Sequence, residues 1–208
     1  MKAVDRRAAI IAAGRRLAHG QGISATTYGD VAAAVGVTRG LVYHYFPTRD
    51  SLIDAVLGEV VDDMVARFDQ WDAHRSRGHV HHTAVEWVAL LRELLFPDPP
   101  LIPDMDQPEN ARFHVRLTDR VVDQLADEFI RTTLASYMSA YGPPVAHLRD
   151  ACLVLLHGVV DRMRLHPEIP DVVLAGIVYQ SLHLKELTLD QLARTPQLPN
   201  GHGMRTDA

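Results

Sequence analysis

The sequence predicts an all-α protein, with a small N-terminal helix-turn-helix domain followed by a larger helical body. Three observations carry this prediction. Apolar residues recur at helical spacing through most of the chain, and the interruptions coincide with glycine and proline. The stretch Val31 to Phe46, VAAAVGVTRGLVYHYF, sets a small-residue helix, a glycine turn and a short second helix in direct succession.

Within that stretch, Gly36 falls where the first helix must stop and turn, a position that favours a residue able to take positive φ without Cβ strain. Thr38 follows as the N-cap of the next helix. At about 100° per residue, Arg39, Gly40, Tyr43 and His44 share one arc of that helix, and Leu41, Val42, Tyr45 and Phe46 the opposite one. The second arc packs, with Tyr45 and Phe46 in the core. The first offers a guanidinium, a phenol and an imidazole beside a glycine that permits close backbone approach, which suits a major groove and its phosphates.

Charge is divided in the same way. Residues 1–50 carry seven basic and three acidic side chains, a net of +4, whereas the remainder carries 14 basic and 23 acidic, a net of −9; the whole-chain value of −5 therefore conceals a basic head on an acidic body. Such a head is drawn to phosphate and such a body repelled, which makes DNA binding salt-dependent. No stretch has the roughly twenty apolar residues of a membrane span and the N-terminus lacks a signal-peptide core, so a cytoplasmic protein with no membrane partner is expected. The single cysteine, Cys152, lies in the apolar run from Ala151 to Leu156 and reads as a buried small hydrophobe.

Residues 6–58 resemble the DNA-binding domain of TetR-family transcriptional regulators. The matching features are a glycine-containing turn at Gly20 to Gly22, the threonines Thr26 and Thr27, an alanine-rich second helix, Gly36-Val37-Thr38, the run Tyr43-His44-Tyr45-Phe46, and then Arg49 and Leu52. Two departures stand out. Tyr28 and Gly29 replace the more usual aliphatic and polar pair, and Arg49 stands where the family usually has lysine, keeping the charge with a different donor geometry. Gly29 should loosen its helix start by ~1 kcal/mol relative to alanine unless Thr26 or Thr27 caps it. The resemblance implies DNA contacts at Thr27, Thr38, Arg39, Gly40, Tyr43, His44 and Arg49. Of these Arg39 is the candidate for a guanine edge, Tyr43 and His44 for phosphate or a thymine methyl, and Thr27, Thr38 and Arg49 for the phosphate backbone. For Tyr43 the alternative is packing against the first helix.

Domain boundaries follow at 1–48 for the DNA-binding head, 49–194 for a helical body and 195–208 for a polar, Pro- and Gly-rich tail expected to be disordered. In the body, Leu52, Val56, Val60, Met64, Phe68 and Trp71 lie on one stripe of a helix from about Arg49 to Trp71. Gly78 marks a boundary, and a second helix spans His82 to Phe96. Pro97, Pro99, Pro100, Pro103 and Pro108 exclude regular helix from the segment between, which reads as a long connection. In the resembled family a short helix near here relays ligand binding to the head, so these prolines leave the relay open. One long helix is expected from Asn110 to Tyr141, ended by Gly142-Pro143-Pro144, with two more at about Pro144 to Leu165 and Asp171 to Leu189. The last two are apolar on more than one face. The resemblance implies that they pair with a twin subunit in a four-helix interface, the alternative being a thick monomeric core.

The resemblance further implies a repressor that binds a palindromic operator on double-stranded DNA as a homodimer, since one recognition helix reads too few base pairs alone, and that is released by a small, largely apolar or aromatic effector. Candidate lining residues are Met64, Phe68, Trp87, Leu91, Phe113, Leu117 and His157; for each, plain core packing is the commoner role. His157 reads either as a satisfied core histidine or as a polar anchor. No cofactor is expected. The rival reading is a metal-responsive regulator using His74, His79, His81 and His82, whose neutral imidazoles could ligate zinc, nickel or copper, although their spacing suits a solvated turn better. An enzyme is not expected: there is no Gly-rich nucleotide loop, GxSxG elbow or HExxH, and Asp119, Asp123, Asp127 and Glu128 have the spacing of a solvated helix face.

Overall fold

A computed structural model describes residues 3–75 and 80–185, and within these the chain is helical with no strand. Among the described residues, nine α-helices follow in order: α1 (Ala3–Gln21), α2 (Tyr28–Val35), α3 (Arg39–Tyr45), α4 (Arg49–His74), α5 (Val80–Leu95), α6 (Ala111–Glu128), α7 (Ala135–Tyr141), α8 (Leu148–Leu165) and α9 (Asp171–Ser181). Packing divides them into two units that are not contiguous in sequence. The first holds the residues up to Ala66 together with Arg92–Gln124, and the second Arg67–Leu91 together with the residues from Leu125 onward.

The first unit is built around α1, α2, α3 and the start of α4. Ile10, Ala13, Ile23, Val31, Val42, Phe46, Leu52, Ile53, Val56 and Leu57 form one buried cluster, joined by Ile102 and Met105 from the proline-rich stretch and Phe113 from just beyond it. Short helices need stops as much as cores. Gly36 closes α2 in the left-handed region at φ 73°, and Thr27 opens it with a capping box, accepting from the Asp30 N–H while the Asp30 carboxylate receives the Thr27 N–H. That box answers the flexibility of Gly29. Tyr28 has its own reason: its ring is buried and its hydroxyl donates to the Phe46 carbonyl at 2.7 Å, satisfying an acceptor at the end of α3.

In the second unit the expected helix from Asn110 to Tyr141 is interrupted. It ends as α-helix at Glu128, widens into a π-helical turn over Phe129–Thr133, and resumes as α7. The Thr132 hydroxyl donates to the Glu128 carbonyl at 2.8 Å, competing with the backbone bond, and the Leu134 N–H instead reaches the Phe129 carbonyl five residues back. The helix expected from Pro144 starts later, at Leu148, because His147 sits in the left-handed region at φ 52°. The last helix stops at Ser181 rather than running toward Leu189. His183 takes φ 50°, its N–H and that of Leu184 bond back to Gln180 and Tyr179, and the buried Leu184 side chain seals this Schellman-type end. Gly78 and residues 186–208, including the tail, lie outside the described residues.

Replacing Tyr28 with phenylalanine leaves the Phe46 carbonyl buried without its donor, at about 1 to 3 kcal/mol. Urea unfolding of Tyr28→Phe should show that loss; an unchanged midpoint would mean that α3 is seated by packing alone.

Candidate nucleic-acid interface

The face read from the sequence is the face the fold presents. Arg39, Gly40, Tyr43 and His44 are exposed, Leu41 and Tyr45 half-buried, and Val42 and Phe46 buried. The Thr38 hydroxyl accepts from the Leu41 N–H at 3.3 Å, so α3 begins where predicted and its first turn, with Arg39, points outward. Tyr43 is neither wholly free nor wholly packed. Its ring lies 4.3 Å from that of Tyr28 at 45° while about half the residue, 48 %, stays exposed. Burial, then the neighbouring Tyr43, raises the Tyr28 phenol above its ordinary pKa of 10.0, so it stays a protonated donor.

Thr27 is exposed, with its hydroxyl committed to the α2 capping box. Arg49, expected at phosphate, is half-buried and donates from Nε to the Thr26 carbonyl at 3.4 Å and from Nη2 to the Ile23 carbonyl. Its forked guanidinium braces the loop between α1 and α2, a task that two separate donors suit better than an ammonium. One cation was missed from sequence: Arg7 of α1 lies over the Phe46 ring, 5.2 Å from its centroid, which brings its charge to the end of α3. Nothing in the local pattern links residues 7 and 46.

The proline-rich connection is tied to the same loop. Asp104 accepts the Ile23 N–H at 2.7 Å and the Ser24 N–H at 2.8 Å, and the buried Asn110 donates to the Asp104 carbonyl at 2.8 Å and to the Ser24 hydroxyl at 3.1 Å. Farther along, the Leu101 carbonyl meets His19 Nδ1 at 2.6 Å. Gly22 makes room for this clasp: it has φ 88°, and a Cβ there would fall 2.4 Å from the Asp104 carboxyl carbon. Burial opposes ionisation of Asp104, but the Ser24 and Ile23 N–H groups with the Ser24 and Asn110 side chains outweigh it and hold the carboxyl below its ordinary 3.8. Next to the clasp, Arg112 and Arg116 of α6 reach Asp50 and Asp54 of α4, each at 2.9 Å.

The candidate effector residues are divided between the units. Met64 and Phe113 are buried in the first, where Phe113 belongs to the cluster under the helix-turn-helix and Leu117 packs against it. Phe68, Trp87 and Leu91 are buried in the second unit, and His157 is half-buried there. The Trp87 and Phe129 rings meet at a tilt of 51° with centroids 5.0 Å apart, and Trp87 Nε1 has no partner among the described residues. Burial pushes the Cys152 thiol up to about 11, which keeps it an inert hydrophobe. As for the histidines, His74 Nδ1 meets the Gln70 carbonyl at 2.7 Å and His82 pairs with Glu86 at 3.0 Å; His79 and the His81 side chain lie outside the described residues. No group of three or more potential metal ligands occurs among the described residues, and no described helix is long and apolar enough to cross a membrane.

These features define a helix-turn-helix DNA-binding fold on an all-helical body. A family model described as bacterial regulatory proteins, tetR family, matches residues 10–56. The HTH-type transcriptional regulator TtgR of Pseudomonas putida is 32% identical over 94 residues, 45% of this chain and 41% of that protein. The HTH-type transcriptional repressor KstR2 of Rhodococcus jostii is 35% identical over 48 residues, 23% of this chain and 24% of its own. The chain therefore spans less than half the length of these curated relatives. Two solved structures extend the likeness in fold. RolR in complex with resorcinol has a TM-score of 0.63 at 16% identity, covering 93% of this chain and 96% of its own. The TetR family repressor AlkX from Dietzia has a TM-score of 0.52 at 21% identity, covering 85% and 93%. Residues 10–56 thus match the tetR-family regulators, and the rest of the chain shares an all-helical fold with solved structures that include a TetR family repressor.

Substituting Gly22 with alanine places a methyl group against Asp104 and costs about 1 to 2 kcal/mol from the left-handed backbone alone. Gly22→Ala should lower the thermal midpoint, and an unchanged midpoint would show the clasp to be slack. Because the Asp104 pKa is lowered in the folded state, its stabilisation is complete above the unfolded-state value near 3.8 and fades as pH falls through the folded value. The stability gap between wild type and Asp104→Asn should therefore be widest near neutrality and shrink below pH 3.8.

Proposed function

We infer that the protein is a DNA-binding transcriptional regulator, acting as a repressor that holds a palindromic operator as a homodimer and lets go when a small, largely apolar or aromatic effector binds its body. The observation that carries this reading is the outward face of α3: Arg39, Gly40, Tyr43 and His44 exposed on a helix whose other face is buried. In this reading Arg39 reads a base edge, Tyr43 and His44 meet phosphate or a thymine methyl, and Thr27, Thr38 and Arg49 hold the surface in register with the phosphate backbone. Residues 1–48 then serve DNA, and 49–194 the effector and the partner subunit. The net charge of +4 on residues 1–50 supports the same orientation, and a cytoplasmic site of action follows from a DNA target.

Dimerisation finds support in the apolar side chains left outside the second unit. Val154 of α8 is 74 % exposed, and Val172, Val173 and Ile177 of α9 are about half exposed, a cluster in sequence that a lone subunit would leave in water. The effector reading is supported by relatives: RolR is solved with resorcinol, and the multidrug binding protein EbrR with imidazole. Among the candidate residues, Phe68, Trp87, Leu91 and His157 share one unit and form the more compact proposal; Met64, Phe113 and Leu117 fall in the other. No described residue favours the metal-responsive alternative.

Fluorescence anisotropy on a selected operator tests the reading of α3. Arg39→Ala should weaken specific binding by ~1 to 3 kcal/mol, roughly 5- to 150-fold, without loss of helicity, and full retained affinity would remove Arg39 from base recognition. For the dimer, the pair Val173→Asp and Ile177→Asp should convert the protein to monomer in sedimentation velocity; an unchanged mass would place the partner elsewhere.

A further inference from the structure

Two buried polar atoms of the second unit lack a hydrogen-bond partner among the described residues, Glu86 Oε2 and Trp87 Nε1. They are not equivalent. Glu86 is half-buried and its other oxygen lies 3.0 Å from His82 Nε2, so its carboxylate is already engaged. Trp87 is 2 % exposed, and an indole has a single donor and no acceptor with which to compensate. A donor withdrawn from water and left unmet opposes folding, and phenylalanine at this position would fill similar space without that penalty. A second, independent feature adjoins it. The ring tilted against Trp87 is that of Phe129, the first residue of the π-helical turn Phe129–Thr133. Such a turn carries one residue more than an α-helical turn and is uncommon outside functional sites. Here it is held open by side chains rather than by chance: Thr132 takes the Glu128 carbonyl, Arg131 pairs with Glu128, and Thr133 donates to Asp72 at 2.9 Å, whose carboxylate also receives Arg75 at 2.8 Å.

We propose that Trp87 is the polar anchor of the effector site, its indole N–H donating to an oxygen acceptor on a compact, flat, apolar ligand that lies beside Phe129. The ligand class is an aromatic or similarly planar carbonyl or carboxylate compound. A hydrocarbon offers the N–H nothing, and a cationic amine offers it a second donor. This rests on the effector-responsive reading above and narrows it to a chemistry.

The chain has two tryptophans, so a 15N-labelled full-length protein gives two indole N–H resonances, which Trp71→Phe assigns. Titration with acetophenone, benzoate and toluene separates neutral acceptor, anionic acceptor and no acceptor on one ring size. The Trp87 proton should move downfield and saturate with acetophenone or benzoate, toluene should bind about tenfold more weakly, and Trp87→Phe should lose that preference while keeping its helicity. Toluene binding as tightly as the better acceptor, or an indole resonance that none of the three moves, overturns the proposal. Operator binding measured on the same samples keeps the two readings apart: wild type that does not bind DNA defeats the regulator, whereas wild type that binds DNA and ignores all three compounds defeats only the anchor.

Discussion

A seven-residue helix cannot hold its own shape in water, because nucleation is unfavourable and isolated helices below about 12 to 15 residues are marginal. The outward face of α3 therefore owes its geometry to what lies under and around it, above all to Tyr28. That one side chain closes the Phe46 carbonyl with its hydroxyl and carries the Tyr43 ring on its own ring, so it fixes both the end of α3 and the direction of an exposed aromatic. Gly36 and Thr38 set where α3 begins, and Arg49 secures the loop before α2 through the Ile23 and Thr26 carbonyls. None of these groups needs to touch DNA for recognition to depend on it.

The same loop is held from a second direction. Residues 97–110, where prolines forbid a continuous helix, contribute Asp104 and Asn110 to its backbone and hydroxyl groups, and the arginines of α6 pair with the acids at the start of α4. Anything that moves residues 92–124 is thus felt at the turn between α1 and α2, within one packed unit.

The parts legible in the sequence were those decided within a few residues. The stop at Gly36, the cap at Thr38 and the division of α3 into an exposed and a buried face follow from local backbone preferences and helical period, and the structure has them at the residues named. Helix ends set by side-chain competition were not legible. The π turn depends on Thr132 choosing a carbonyl and on Thr133 meeting Asp72, 61 residues away, and α9 ends on a histidine in a conformation usually left to glycine. The Asp104 clasp joins residues 81 apart in a segment whose composition signals only the absence of helix. Likewise Tyr28 reads as a departure from the family pattern until the Phe46 carbonyl is seen beside it.

The most direct measurement is in vitro selection of DNA by the purified full-length protein at near-physiological salt, followed by sequencing of the bound pool. A dimeric reader built on α3 enriches an inverted repeat whose half-sites lie about one helical turn, ~34 Å, or somewhat more apart. A folded protein that leaves the pool unenriched would contradict sequence recognition by this face.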